Sequence, residues 1–206
     1  MPNFAVRTEV HAGCHRRASI HPVPPIAYGG TELFVAQLAG ALADRGHTVI
    51  VYANGESRVR CEVRWLYPNG DWPPADPAAH LRNADHPTWA IRDATLSADA
   101  VHLNDVIGLA FTRFVDVPVV LTNHHPHEPV LSAMYERYPR VEYVAISDAQ
   151  PRREPMPQIT VVHHGLRLDD YIFKDAKKAT WRSSAGWSRV RARMPRSPSP
   201  DSRASS

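Results

Sequence analysis

The sequence is short of cysteine and of long apolar runs. Cys14 and Cys61 are its only two cysteines. They match no disulfide framework and no thiolate metal pattern, which excludes a stapled secreted scaffold and points to a reducing, cytoplasmic setting. No apolar stretch approaches the roughly 18 residues of a membrane span. The N-terminus lacks the basic-then-apolar pattern of a secretory signal, and nothing in the chain indicates peripheral membrane contact. Neither H-E-x-x-H nor G-x-G-x-x-G occurs, so the sequence offers no zincin helix and no dinucleotide fingerprint.

Basic charge is also scarce where it would matter for nucleic acid. The net charge of +3 is uneven, because residues 181–206 hold six arginines against one aspartate and carry +5, leaving the body at −2. The pI near 9 therefore belongs to the tail and argues for no nucleic-acid-binding face on the body. The tail, "WRSSAGWSRVRARMPRSPSPDSRASS", has no apolar period and reads as disordered over 176–206.

What is present is a body of globular composition, 43% apolar in 206 residues, enough for one domain and marginal for two. From Thr31 onward helices and short apolar strands alternate. Thr31 is placed to cap a helix with Glu32 in its first turn, and Phe34, Leu38 and Leu42 recur on one face. Arg45-Gly46 stops that helix. Thr48 to Tyr52 is an apolar strand of the kind buried on both faces. The segment from Glu56 to Pro77 reads as a loop, and Ala78 to Ser97 as a weak helix. Strands follow at Ala100 to Leu103, Val117 to Thr122, Glu142 to Ile146 and Ile159 to Val162. Helices fall at Ile107 to Phe114 and Glu128 to Tyr138, and Ser147 is placed to cap a brief helix limited by Pro151. This alternation predicts an α/β fold, a doubly wound Rossmann-like parallel sheet. Its first strand is expected to be poorly formed, because residues 1–21 are atypical and offer only Phe4 to Val6 as an apolar run.

Candidate ligand contacts gather at the carboxyl ends of the expected strands, where doubly wound sheets bind their ligands. Gly29 and Gly30 precede a helix N-terminus. Glycine there permits close approach of the backbone, and the free N–H groups favour an anion; an ordinary tight turn is the plainer alternative. His102, Asn104 and Asp105 follow one strand, "TNHHPHE" from Thr122 to Glu128 a second, and His163, His164 and Gly165 the last. A histidine in such a place titrates near neutrality or hydrogen-bonds a hydroxyl or phosphate, although any one of them equally suits a solvated loop. His124, His125 and His127 lack the partners of a metal site, so no metal is assigned.

The words "PPIAYGGTE", "LAGALADRGHTVIVYA", "DAVHLND", "PVVLTNHH", "YVAISDAQ" and "VVHHGLRLDDYIF" occur in order over about Pro22 to Phe173. Together they resemble the N-terminal domain of family 4 glycosyltransferases of the GT-B fold. The resemblance implies a Rossmann-like domain over 22–175, one GT-B half, and retaining hexosyl transfer from a nucleotide-sugar donor, itself a co-substrate, with no further cofactor and no obligatory metal. It implies that Gly29, Gly30 and Thr31 form the loop at the donor diphosphate and that His124, in the T-x-H word, faces the reacting sugar. His102, Asn104, Asp105, Ser147, His163, His164 and Gly165 would line the cleft and the site for a sugar or lipid-linked acceptor. The family's second domain and its E-x7-E motif have no counterpart here, so the chain is expected to be the acceptor-binding half, inactive alone. A non-catalytic glycan-binding module and a poorly folding pseudogene product are the alternatives. Back-translated one base later, "HAGCHRRASIHP" permits M-R-V-A-I-V-A-P-P-F-I-P, a start codon and an apolar first strand. Two bases later, "WRSSAGW" permits A-F-L-G-R-M, an approach to a second domain. A reading frame shifted at both ends accounts for both departures, and the gene's sequence at those codons tests it.

Overall fold

A computed structural model describes residues 5–9, 12–14, 17–19, 22–26, 29–70 and 77–165, with side chains from residue 22 onward. All lie in one compact unit, Met1–Leu166. The tail and the expected domain boundary at 175 lie outside the described residues.

Seven strands form one parallel sheet. In chain order its strands are β1 (Ala5–Glu9), β4 (Thr48–Tyr52), β5 (Glu62–Arg64), β6 (Ala100–Leu103), β7 (Val119–Asn123), β8 (Glu142–Ala145) and β9 (Ile159–Val161). A separate antiparallel hairpin pairs β2 (Ala12–Cys14) with β3 (Arg17–Ser19). The spatial order β5-β4-β1-β6-β7-β8-β9 runs outward from β1 on one side and then restarts on the other. This is the doubly wound arrangement, and its switch point lies between β1 and β6. β1 is short of apolar residues, with Arg7, Thr8 and Glu9 in it. Its backbone nonetheless pairs with β4 from Ala5 to Glu9 and with β6 from Val6 to Thr8, so a strand expected to be poorly formed occupies the centre of the sheet.

Helix α1 (Gly30–Asp44) and strand β4 show how the layers assemble. Ala and Leu favour α1, and Gly46, at φ 88°, takes the left-handed conformation that ends it. Its most buried apolar line is Val35 and Ala39, and Phe34 and Leu42 pack beside them against Val49, Val51 and Ala53. The expected stripe through Phe34, Leu38 and Leu42 is therefore the flank of the buried face. Ile50 and Tyr52 point the other way, into a second core with Ala90, Ile91 and Ala94 of α2 (Pro77–Ala94). Both faces of β4 are thus covered, as its unbroken apolar sequence implied.

The structure differs from the sequence reading in several elements. A 3-10 helix, Gly108–Phe114, stands where a short helix was expected, and α3 (Pro129–Tyr135) is shorter than its pattern. Edge strand β5 lies inside the segment read as loop; its three residues, Glu-Val-Arg, carry no apolar alternation to reveal it. After Ser147 the chain makes turns and no helix. Among the described residues no helix is long and apolar enough to cross a membrane.

Candidate functional site

The candidate residues lie at the carboxyl ends of the sheet's strands and at the start of α1. Gly29 is the residue at which α1 begins, and its carbonyl accepts the Leu33 N–H at 3.0 Å. Thr31, expected to cap the helix, lies inside its first turn, and no side chain caps the end. The two glycines differ. A Cβ on Gly29 would strike the Glu32 carboxylate and lie 2.8 Å from Pro25 Cβ, whereas one on Gly30 would meet no described atom within 4 Å. Gly29 thus permits internal packing, and Gly30 leaves the first turn of α1 open to approach. The Glu32 side chain is buried, only 2% exposed. Burial raises its pKa to about 7, a rise partly opposed by its own backbone N–H. The sequence showed Glu32 only as a first-turn acid; its burial follows from the close packing at Gly29.

Around Phe34, one turn further along α1, three histidines from three strand ends come together. The Phe34 ring lies 6.5 Å from the His102 ring, 5.1 Å from that of His124 and 4.4 Å from that of His164, centroid to centroid. The His124 and His164 rings stack at 5.3 Å with 20° between planes. His102 is the penultimate residue of β6, and its Nε2 lies 2.7 Å from Thr122 Oγ1 of β7. His124 follows β7, and its Nε2 lies 3.0 Å from Asn104 Oδ1, beyond β6. An amide oxygen only accepts, so His124 donates Nε2–H to Asn104 and keeps Nδ1 as an acceptor.

The same burial makes these rings neutral. Desolvation lowers the pKa of His102 to about 4. Desolvation, reinforced by His164, His125 and His102, lowers that of His124 to about 3. Burial lowers His164 as well. At neutral pH the cluster is an uncharged aromatic surface with hydrogen-bonding edges. It suits a ligand with apolar ring faces and hydroxyl groups better than it suits an ion pair.

The remaining candidates divide. Asp105 is 4% exposed; its Oδ1 accepts from the N–H groups of Ile107 and Gly108, at the start of the 3-10 helix. Burial raises its pKa to about 7 against those bonds. His163 is exposed and reaches Asp148 Oδ2 at 3.2 Å, away from the ring cluster. Ser147 is half-buried and Gly165 exposed at the same end of the sheet. Phe34 was visible in the sequence only as part of an apolar stripe. Also undetected was a polar knot behind the loop: buried Glu154 accepts from Ser132 Oγ and lies 3.1 Å from His127 Nδ1. Among the described residues no group of three His, Cys, Asp or Glu side chains is arranged to hold a metal ion.

Comparison with known proteins fits this geometry. The crystal structure of Anabaena Alr3699/HepE in complex with UDP and glucose superposes with a TM-score of 0.55 at 15% identity, over 84% of this chain and 47% of HepE. HepE in complex with UDP gives 0.51 at 15% identity, over 81% and 45%. That likeness is one of fold, and the chain spans about half the length of HepE. No curated protein sequence matches. The sequence profile described as Glycosyltransferase Family 4 matches residues 28–196, well over half of the chain, and the chain therefore belongs to glycosyltransferase family 4.

Proposed function

We propose that this chain is the acceptor-side Rossmann-like half of a retaining hexosyltransferase that uses a UDP-, GDP- or ADP-sugar. The observation that carries the reading is the neutral ring cluster of His102, His124 and His164 around Phe34, set at the switch point beside the open first turn of α1. HepE, a protein of the same fold, binds UDP and glucose, which supports a nucleotide-sugar donor and a sugar-sized cleft.

In this reading the donor diphosphate approaches the N-terminus of α1 over Gly30 and Thr31. The N–H groups and helix dipole there offset charge as the nucleotide leaves. Gly29 serves the loop by admitting Glu32. His124 presents Nδ1 as an acceptor to a hydroxyl of the transferred sugar, its other nitrogen being held by Asn104. The His164 ring, exposed and stacked on His124, offers a face to the sugar or acceptor. Ser147 and Gly165 belong to the cleft wall. Asp105 is assigned to the 3-10 helix start, and His163 to the surface. The reaction needs no cofactor beyond the nucleotide sugar.

Donor and acceptor must be held against each other for transfer, and this chain spans about half of HepE. The chain alone is therefore expected to bind sugar without turnover. Calorimetry with sugars, run beside a transfer and hydrolysis assay on the three donor classes, tests this. Saturable binding without transfer supports the reading. Turnover by the 206-residue chain, or binding of no sugar and no donor, overturns it.

A further inference from the structure

We propose that Gln150 is the positioning residue of the site, its carboxamide fixing the backbone on both sides of His124. The inference rests on reading His124 as the sugar-facing ring. Gln150 lies in the turns after β8. Its Nε2 donates to the carbonyl of Asn123 at 3.0 Å and to that of His125 at 3.1 Å. Its Oε1 accepts the N–H of Ile146 at 2.6 Å. Carbonyl oxygens cannot donate and a backbone N–H cannot accept, so only this orientation of the amide satisfies all three bonds.

The two carbonyls are those of the residues immediately before and after His124. The same tripeptide is closed from the other side, where His125 N–H donates to Asn123 Oδ1 at 2.8 Å. His124 therefore sits in a short arch whose ends are tied to the neighbouring strand's turn. One imidazole edge reaches Asn104 at 3.0 Å, a distance that only a fixed backbone preserves. An aliphatic side chain at 150 would leave both carbonyls to find other donors, and a carboxylate would face them with like partial charge.

The consequence is testable without turnover, by nitrogen-15 NMR of the histidine side chains in the full chain. In the native protein His124 should appear as the Nε2–H tautomer with a slowly exchanging Nε2 proton. Gln150→Met keeps the side-chain volume, and Gln150→Glu keeps the acceptor to Ile146. Both should speed exchange of that proton by about tenfold or more, the loss of roughly one net hydrogen bond. The His163 signal and the backbone shifts of β6 and β7 should stay in place. Asp148→Ala, in the same turn but remote from those carbonyls, should leave His124 unchanged. A residue that only stabilises the fold would lower the melting temperature without altering the His124 signal in the folded protein. That result, or a Gln150 side-chain amide exchanging in the native protein as fast as a free glutamine, overturns the proposal. Absence of sugar binding with an intact, Gln150-dependent His124 signal would instead overturn only the functional reading.

Discussion

Gly29→Ala and Gly30→Ala change neighbouring residues by the same single methyl, and the structure separates their outcomes. At Gly29 the new Cβ would lie 2.8 Å from Pro25 Cβ and against the Glu32 carboxylate. The backbone there is extended, φ 165°, so the cost is steric and not conformational. Overpacking of this kind costs about 1–3 kcal/mol, and Glu32, a buried carboxyl group, has little room to retreat. At Gly30 the methyl meets no described atom within 4 Å. Removing a glycine's freedom from the unfolded chain then gains about 0.4–1 kcal/mol. For a chain of this size each kcal/mol moves the melting temperature by roughly 2–4 °C. Gly29→Ala should melt about 2–12 °C below the native protein, and Gly30→Ala level with it or slightly above. Urea titration gives the same ranking if the slope is unchanged. Ligand binding should rank the other way, because the Gly30 methyl occupies the approach to the helix N-terminus: Gly30→Ala should bind UDP-sugars more weakly than its stability suggests. Equal melting temperatures for the two variants would refute the packing account of Gly29. Undiminished donor binding by Gly30→Ala would refute the role given to the open turn.

Other consequences follow from buried polar groups. Glu32 holds its proton in the fold up to about pH 7, against 4.5 as its ordinary value. Its contribution to stability is therefore full below pH 4.5 and is lost as the pH rises through 7. Glu32→Gln should gain on the native protein between pH 5 and pH 8, by up to about 3 kcal/mol in urea titrations. His102 and His124 act in the opposite sense, since their pKa values fall to about 4 and about 3. Stability they confer above pH 6.5 is lost toward those values, and His102→Gln should flatten the acid limb of a stability-against-pH curve. Asn104→Ala leaves His124 Nε2–H without its acceptor and should cost about 1–3 kcal/mol by thermal melt. Glu154→Ala strips the acceptor from Ser132 and His127 and should cost about 3 kcal/mol in the same assay.

Regular elements were legible in the sequence wherever one pattern ruled. Thr48–Tyr52 and Ala100–Leu103 were bounded correctly, because apolar runs between turn residues leave little choice. The doubly wound sheet followed from the alternation of such strands with helices. β1 and β5 were not legible for a shared reason: Ala-Val-Arg-Thr-Glu and Glu-Val-Arg are placed by backbone pairing and carry no apolar signature. Strand-end chemistry singled out His102, Asn104, His124 and His164, which the fold brings together around Phe34. It could not show that His163 turns outward to Asp148 while His164 turns inward to Phe34. One residue of register reverses direction along an extended chain. The capping role expected of Thr31 failed, because the helix begins at Gly29 and capping depends on the local turn and not on residue type alone. Gln150 and Glu154 reach partners 22 or more residues away, a distance that no local pattern encodes.

The most direct test of the account compares His124→Ala with His125→Ala. The His124 ring packs with Phe34 and His164, whereas His125 is tied to the arch through its backbone N–H on Asn123, which alanine retains. In calorimetric titrations with UDP-glucose and with glucose, His124→Ala should weaken binding about tenfold, the loss of one hydrogen bond of about 1.4 kcal/mol. In an enzyme completed by a second Rossmann-like half, the same change should lower turnover by about 100- to 1,000-fold. His125→Ala should bind and turn over close to the native protein. Equal losses for the two variants, or native binding and turnover by His124→Ala, would contradict the claim that the ring cluster around Phe34 is the sugar site.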